Sequence, residues 1–198
     1  MSKRNAHQTD PVTCAEARIR AFIARSAVPE DPRHAENTLA WLLRLAPAAD
    51  TALRLAALGH DIDRAAPDKV RRDDFDDYDA FKAAHAHHGA DIIAALLENC
   101  GVAADIITET CRLVRLHETG GDPRADLLRD ADSLSYFDVN LPLYHAREGD
   151  AETLRRCIWG LRRLSPRGRR ALAAMRFTDP VIADIVERAL EATLPVTP

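Results

Sequence analysis

Aromatic residues and long apolar runs are what this chain has least of. Phe, Tyr and Trp make up only 5% of its 198 residues. No apolar stretch approaches the ~20 residues needed to cross a bilayer, so no membrane partner is expected. The opening decapeptide MSKRNAHQTD lacks the apolar segment of a secretory leader, and a cytoplasmic location is expected. Cysteine is sparse as well. Cys14, Cys100, Cys111 and Cys157 show no CxxC spacing, which excludes a dense disulfide framework, and they read as small, mostly buried, reduced thiols. A basic excess is also missing: the formal charge is −4, so there is no general nucleic-acid footprint. The one basic run, RRCIWGLRRLSPRGRR from Arg155 to Arg170, reads as a solvated helix face. Strand pairs are absent from the pattern. So is a glycine-rich phosphate loop, because TGGDP (Thr119 to Pro123) reads as a helix stop followed by a new cap.

What remains is helical. Ala, Leu and Arg are abundant, and apolar residues recur every three or four positions, as at Ile92, Ile93, Leu96 and Leu97. Helix starts are marked by a capping residue followed by proline: Asp31-Pro32, Asp122-Pro123, Ser165-Pro166 and Asp179-Pro180. The spacing predicts helices over about 12–26, 32–46, 49–62, 79–99, 102–117, 123–137, 150–164, 166–176 and 180–193. The acidic connection Asp68 to Ala80 is the longest irregular one and reads as a disordered linker or, at least as well, as a mobile loop beside a site. The chain reads as a single all-α domain over 1–198: a helical bundle with a core at about 30–140 and extra C-terminal helices from about 141 to 198 packed on it.

Against that background, histidines and aspartates stand in unexpected places. The run LAALGHDID carries His60 and Asp61 at the end of an oily helix. His34 lies in a first helical turn, His85, His87 and His88 sit within a helix, and His117 closes another. Asp130 and Asp132 lie mid-helix among leucines, where a carboxylate is costly unless paired or metal-bound. Separate helices that each deliver an imidazole or carboxylate suit a metal site in a bundle core. His7 and His145 read as ordinary surface residues, and His87 as solvated.

The order H…HD…H…H…D resembles that of the HD-domain superfamily, all-helical proteins that are mostly metal-dependent phosphohydrolases. The resemblance covers roughly residues 30 to 140 and rests on His34, His60-Asp61 in LGHDID, His85 in HAHHGAD, His117 in VRLHETGG and Asp132 in RDADSL. It implies that His34, His60, Asp61 and Asp132 hold one metal. His85, four positions before Gly89, and His117 are the extra ligands of the binuclear branches, with Asp61 bridging. A carboxylate has two oxygens and can span two cations. Asp130 and His88 stay open as alternatives to Asp132 and His85, and Asp130 otherwise supports the site from behind. Gly59 is expected to leave room for close helix approach.

The resemblance implies hydrolysis of a small phosphorylated substrate, a nucleotide or other phosphate ester, by a metal-activated water. Asp61 and His60 would carry the catalytic centre, with Arg64 and Lys82 as cations facing the developing charge. Arg33 is a further candidate. The cofactor implied is a pair of divalent metal ions, iron or manganese first, with nickel, cobalt, zinc or magnesium also compatible. Tyr136, Phe137, Asn140 and Tyr144 are candidates for substrate contact, although Phe137 and Tyr144 fit a packed core equally. Two further readings stay open: a di-iron oxygenase cleaving a C–C or C–P bond, and a non-catalytic metal- or nucleotide-binding module. A homodimer is compatible with the sequence. Cyclic dinucleotide hydrolysis is disfavoured, because the paired histidines and Gly-Tyr-Pro of that branch are missing around His117.

Overall fold

Aspartate and serine side chains start most of the helices. In a computed structural model that describes residues 10–193, the chain forms nine α-helices and no strand among the described residues. These are α1 (Pro11–Ile23), α2 (Asp31–Leu45), α3 (Thr51–Gly59), α4 (Tyr78–Asn99), α5 (Ala104–Leu116), α6 (Pro123–Ser135), α7 (Leu141–Arg163), α8 (Pro166–Ala173) and α9 (Pro180–Glu191). Asp10, Asp50, Asp77, Asp122, Ser165 and Asp179 each accept a hydrogen bond from a backbone N–H of the first turn that follows. Proline follows immediately at α1, α6, α8 and α9, where its missing N–H costs nothing.

Helix α2 departs from that pattern. Asp31 is its first residue rather than its cap, and the capping position belongs to Glu30, which makes no side-chain cap bond. The Asp31 carboxylate is committed elsewhere: Ser26 Oγ donates to it at 2.5 Å and Arg64 lies 2.9 Å away.

The apolar faces of α1 to α6 meet in one core that includes Ile19, Leu42, Leu55, Leu58, Ile93, Leu113, Leu128 and Leu134, and the C-terminal helices extend it. Each such side chain, fully removed from water, contributes about 1.5–3 kcal/mol. Helix α2 packs on α3 and α6, α4 and α3 pack on α5, and α9 packs on α7. Gly59 lets α3 close on α4, since a Cβ there would come within 2.4 Å of Ile93 Cδ1.

Three transitions differ from the sequence expectation, and two of them lie at the site. Helix α3 ends at Gly59, not near 62. His60 is its C-cap, and the chain leaves the helix at Asp61 (φ −102°, ψ 19°) for a 3₁₀ turn over Ile62–Ala65. Helix α6 runs into a π-helical turn, Tyr136–Asn140, which joins it to α7. That wider turn displaces side chains from the regular helical register. Helix α7 begins at Leu141, with Gly149 (φ 74°) separating a first run from the one expected from 150. The connection expected over Asp68 to Ala80 is irregular and mostly exposed only as far as Asp77, with a short 3₁₀ turn at Arg72–Asp74, since α4 starts at Tyr78. No helix among the described residues is long and apolar enough to cross a membrane.

Candidate metal centre

Helices α2 to α6 bring their histidines and carboxylates to one buried place. His34 comes from the first turn of α2, His60 and Asp61 from the end of α3, and His85 from the second turn of α4. His117 caps the C-terminus of α5, and Asp132 lies in the last turns of α6. All six residues expected from the sequence as metal ligands converge there, as two adjoining groups. His34, His60 and Asp132 form one; Asp61, His85, His117 and Glu118 form the other. In each group one ligand atom per residue lies within 4.8 Å of all the others.

The distances are those of atoms aimed at a common point. His34 Nε2 is 3.2 Å from His60 Nε2 and 3.1 Å from Asp132 Oδ1, which lies 3.5 Å from His60 Nε2. Asp61 faces both groups. Its Oδ2 is 3.9 Å from His60 Nε2, while its Oδ1 is 2.9 Å from His85 Nε2 and 3.7 Å from His117 Nε2.

Hydrogen bonding behind the rings fixes which nitrogens point inward. His60 Nδ1 donates to Ala57 O at 3.0 Å, and His117 Nδ1 to Val114 O at 2.7 Å. A carbonyl only accepts, so the proton of each neutral ring sits on Nδ1. His85 Nδ1 donates to Asp63 Oδ2 at 2.7 Å. His34 Nδ1 lies 2.9 Å from Ser135 Oγ, whose own proton goes to the carbonyl of His34 at 3.1 Å. All four Nε2 atoms therefore present lone pairs to one another and to carboxylates. Lone pairs that converge in this way suit a cation placed between them.

The electrostatics agree. His117 is fully buried, and its Nε2 makes no hydrogen bond; Glu118 Oε1 lies 3.2 Å away without the alignment of one. Burial opposes charging of this ring, yet Glu118 and Asp61 override it and push its pKa up to about 10. Burial likewise opposes ionisation of Asp61 and Asp132, but the surrounding histidines and arginines hold both well below the usual carboxylate range. The carboxylates of Asp61, Glu118 and Asp132 make this a place that favours positive charge. Its nitrogen and oxygen donors fit a divalent metal of the iron, manganese or zinc type.

The open alternatives separate cleanly. Asp132, not Asp130, enters the centre. Asp130 Oδ1 accepts from the backbone N–H of Ser165 at 2.8 Å, and its other oxygen accepts from the Ser165 hydroxyl, so it holds the start of α8 rather than backing the residues of the centre. Its carboxyl group packs so closely that a Cβ on Gly168 would lie 2.7 Å from Asp130 Cγ. His85 is the inner residue of its pair, whereas His88 bonds to Asp63 from the outer side. His87 is exposed and His145 pairs with Asp150, while His7 lies outside the described residues. Arg64 sits 3.7 Å from Asp61 at the cavity wall, and Lys82 is bound to Glu118. Arg33 is exposed and absent from that wall. Phe137 belongs to the core, and Tyr144 donates to Glu152 at 3.1 Å. Tyr136 and Asn140 line the cavity beside the centre.

Two residues that shape the centre escaped the sequence reading. Glu118 sits beside His117 in HETGG, where it looks like the polar end of a helix, yet its side chain is only 8% exposed, against Lys82 and Arg163. Asp63 closes LAALGHDID and, 1% exposed, orients His85 and His88 together. The spacing His60, Asp61, Asp63 was the available signal for it. The basic run on α7 also divides: Arg155 and Arg162 are exposed, but Arg156 and Arg163 turn toward the cavity. The cysteine reading is corrected in the same way. Cys111 and Cys157 are buried free thiols, whereas Cys14 and Cys100 form a disulfide.

The class is thus an all-helical protein with two adjoining histidine–carboxylate groups suited to metal. The chain belongs to the family described as a domain of unknown function, DUF4202, whose model matches residues 2–185. Comparison with curated proteins and with solved structures finds no match.

Proposed function

We propose that this protein is a metal-dependent phosphohydrolase of the HD type, acting on a nucleotide or another small phosphate ester. The observation that carries the reading is the position of Asp61, with one oxygen toward His60 and the other toward His85 and His117. A carboxylate placed between two nitrogen-rich groups is what a pair of cations sharing one ligand needs. His34, His60, Asp61 and Asp132 would hold one cation, and Asp61, His85, His117 and Glu118 the other. When bound, such a pair lowers the pKa of a shared water from ~15.7 towards neutrality and polarises the phosphoryl oxygen.

The remaining work falls to the chain itself. Asp63 and the carbonyls of Ala57 and Val114 hold the rings in the tautomer that leaves Nε2 free. Arg64 and Lys82, on the wall of the same cavity, offset negative charge on a phosphate. Glu118 and Asp31 keep those two cations in place.

The test is a panel of nucleotides and phosphomonoesters, run without oxygen and with each divalent metal in turn. Release of inorganic phosphate that His60→Ala abolishes supports the proposal. Turnover strictly dependent on O₂ and Fe(II) would replace it with an oxygenase. Tight metal binding without turnover over the whole panel would replace it with a binding module.

A further inference from the structure

Arg156 is a partly buried cation with no carboxylate beside it. The other cations on the wall of the metal cavity are committed: Arg64 to Asp31, Lys82 to Glu118, and Arg163 to Glu118 and Asp132. No carboxylate lies within 4 Å of the Arg156 guanidinium among the described residues. Its neighbours are aromatic instead. Its central carbon lies 4.1 Å from the centre of the Trp159 ring and 5.3 Å from that of Tyr136. Stacking on aromatic faces orients a guanidinium, and the groups beside its N–H fork are the neutral hydroxyls of Tyr78 and Tyr136 rather than an anion. A cation partly withdrawn from water without a carboxylate partner is one that an anionic ligand can supply with a counter-charge.

Independent groups on the same wall point to the same ligand. Ser133 is 4% exposed, and its Oγ has no hydrogen-bond partner. Tyr136 Oη and Asn140 Oδ1 are also buried and unpartnered. All three residues line the cavity with Arg156, His34, Asp61 and Asp132. They come from the last turns of α6 and the π-helical turn after it. Two hydroxyls, an amide that can turn its N–H₂ inward and a bidentate guanidinium together make a set of donors for an oxyanion. Arg64, Tyr136, Asn140, Arg156 and Trp159 also line an outer cleft of about 570 Å³, so the inner cavity and this cleft share a wall.

We propose that Arg156, with Ser133, Tyr136 and Asn140, forms an oxyanion subsite separate from the metal ligands. It takes a second phosphate or carboxylate of the substrate. The substrate class is then a small molecule with two anionic groups, one reacting at the metals and one held by α7. This inference rests on the cavity being a substrate site and goes beyond the proposed hydrolysis in naming what is recognised there.

The experiment uses the full chain freed of metal with a chelator, and calorimetric titration with inorganic phosphate. Millimolar or tighter binding is expected. Arg156→Gln should weaken it about tenfold or more, the loss of a charged hydrogen-bond set. Arg156→Lys, which keeps the charge but not the fork, should weaken it less, and exposed Arg162→Gln should leave it unchanged. Should Arg156→Gln fail to fold, the Lys variant carries the test: binding equal to that of the unaltered chain overturns the proposal. So does Arg156→Gln that binds as well as the unaltered chain, or an unaltered chain that shows no binding up to ~10 mM. Nothing is turned over in this assay. Arg156-dependent phosphate binding in a protein that hydrolyses nothing therefore supports the subsite while removing the hydrolase reading. Hydrolysis in a protein whose phosphate binding ignores Arg156 does the reverse.

Discussion

His85 stands between two carboxylates, with Nδ1 2.7 Å from Asp63 Oδ2 and Nε2 2.9 Å from Asp61 Oδ1. Asp63 thereby keeps the proton on the far side of the ring and aims the near nitrogen at the centre. Such partners behind a ligating histidine are worth about 10–100-fold in metal affinity. Asp63→Asn should weaken metal binding by that factor while helix content, read by circular dichroism, is retained. Competition with a chromogenic chelator measures the affinity, and an unchanged constant would remove Asp63 from the site.

Asp61 reaches both groups, whereas His117 belongs to one. Asp61→Ala should therefore lose both metals, and His117→Ala only the one that His117 helps to hold. Elemental analysis of protein purified without added metal reads this directly: about two metals per chain in the unaltered protein, near none in the first variant and about one in the second. Equal losses in the two variants would mean that Asp61 does not bridge.

Glu118 neutralises two buried cations. Lys82 is bound to its Oε1, and Arg163 lies 3.0 Å from its Oε2, with the three side chains 8–17% exposed. Removing one partner of a buried pair strands the other charge. In metal-free protein Glu118→Gln should cost about 3 kcal/mol, towards the low end for such a loss, because Arg163 keeps Asp132 at 3.3 Å. Urea unfolding checks this. The double change Glu118→Gln with Lys82→Met should recover part of the loss, as removing both charges does.

Asp130 and Asp132 lie two residues apart and do different work. Asp130 caps α8 through Ser165, so Asp130→Ala should cost about 1–3 kcal/mol of stability and leave the metal content unchanged. Asp132→Ala should lose metal. Thermal melts and elemental analysis on the same two variants separate the roles, and metal loss from Asp130→Ala would contradict the assignment.

The sequence carried the helices and the ligand order for one physical reason: both depend on local spacing. Capping aspartates, prolines and the 3.6-residue apolar period act within a few residues, so α1 to α6 were readable. The first half of α7 was not, because its apolar residues are few and Gly149 interrupts it. The set His34, His60, Asp61, His85, His117 and Asp132 was readable through the order it shares with the HD pattern, while the cost of a carboxylate among leucines pointed to Asp130 and Asp132 alike. Glu118 and Asp63 were not, since their burial comes from α7 and α4 packing over them from distant parts of the chain. Arg156 and Arg162 look alike in the sequence; only the placement of α7 turns one inward and leaves the other in water. The Cys14–Cys100 bridge was equally hidden, because pairing across 86 residues is set by how α1 lies on α4 and not by spacing.

That bridge supports the last prediction. Cys14 on α1 and Cys100 at the end of α4 have Cα atoms 5.7 Å apart and close a loop of 86 residues. A link of that span restricts the unfolded chain, and removing it typically costs about 2–4 kcal/mol. Reductant should therefore lower the melting temperature of the unaltered protein. A Cys14→Ser, Cys100→Ser double variant should melt at that lower temperature whether or not reductant is present. The thiol count is an independent check. Denatured in the absence of reductant, the protein should titrate only Cys111 and Cys157, the buried thiols; burial holds the Cys157 thiol up at about 12, so it stays unreactive until unfolding. Full metal content should survive reduction, because His85 sits at the opposite end of α4 from Cys100. Four reactive thiols in the untreated, denatured protein would show that the bridge does not form in solution.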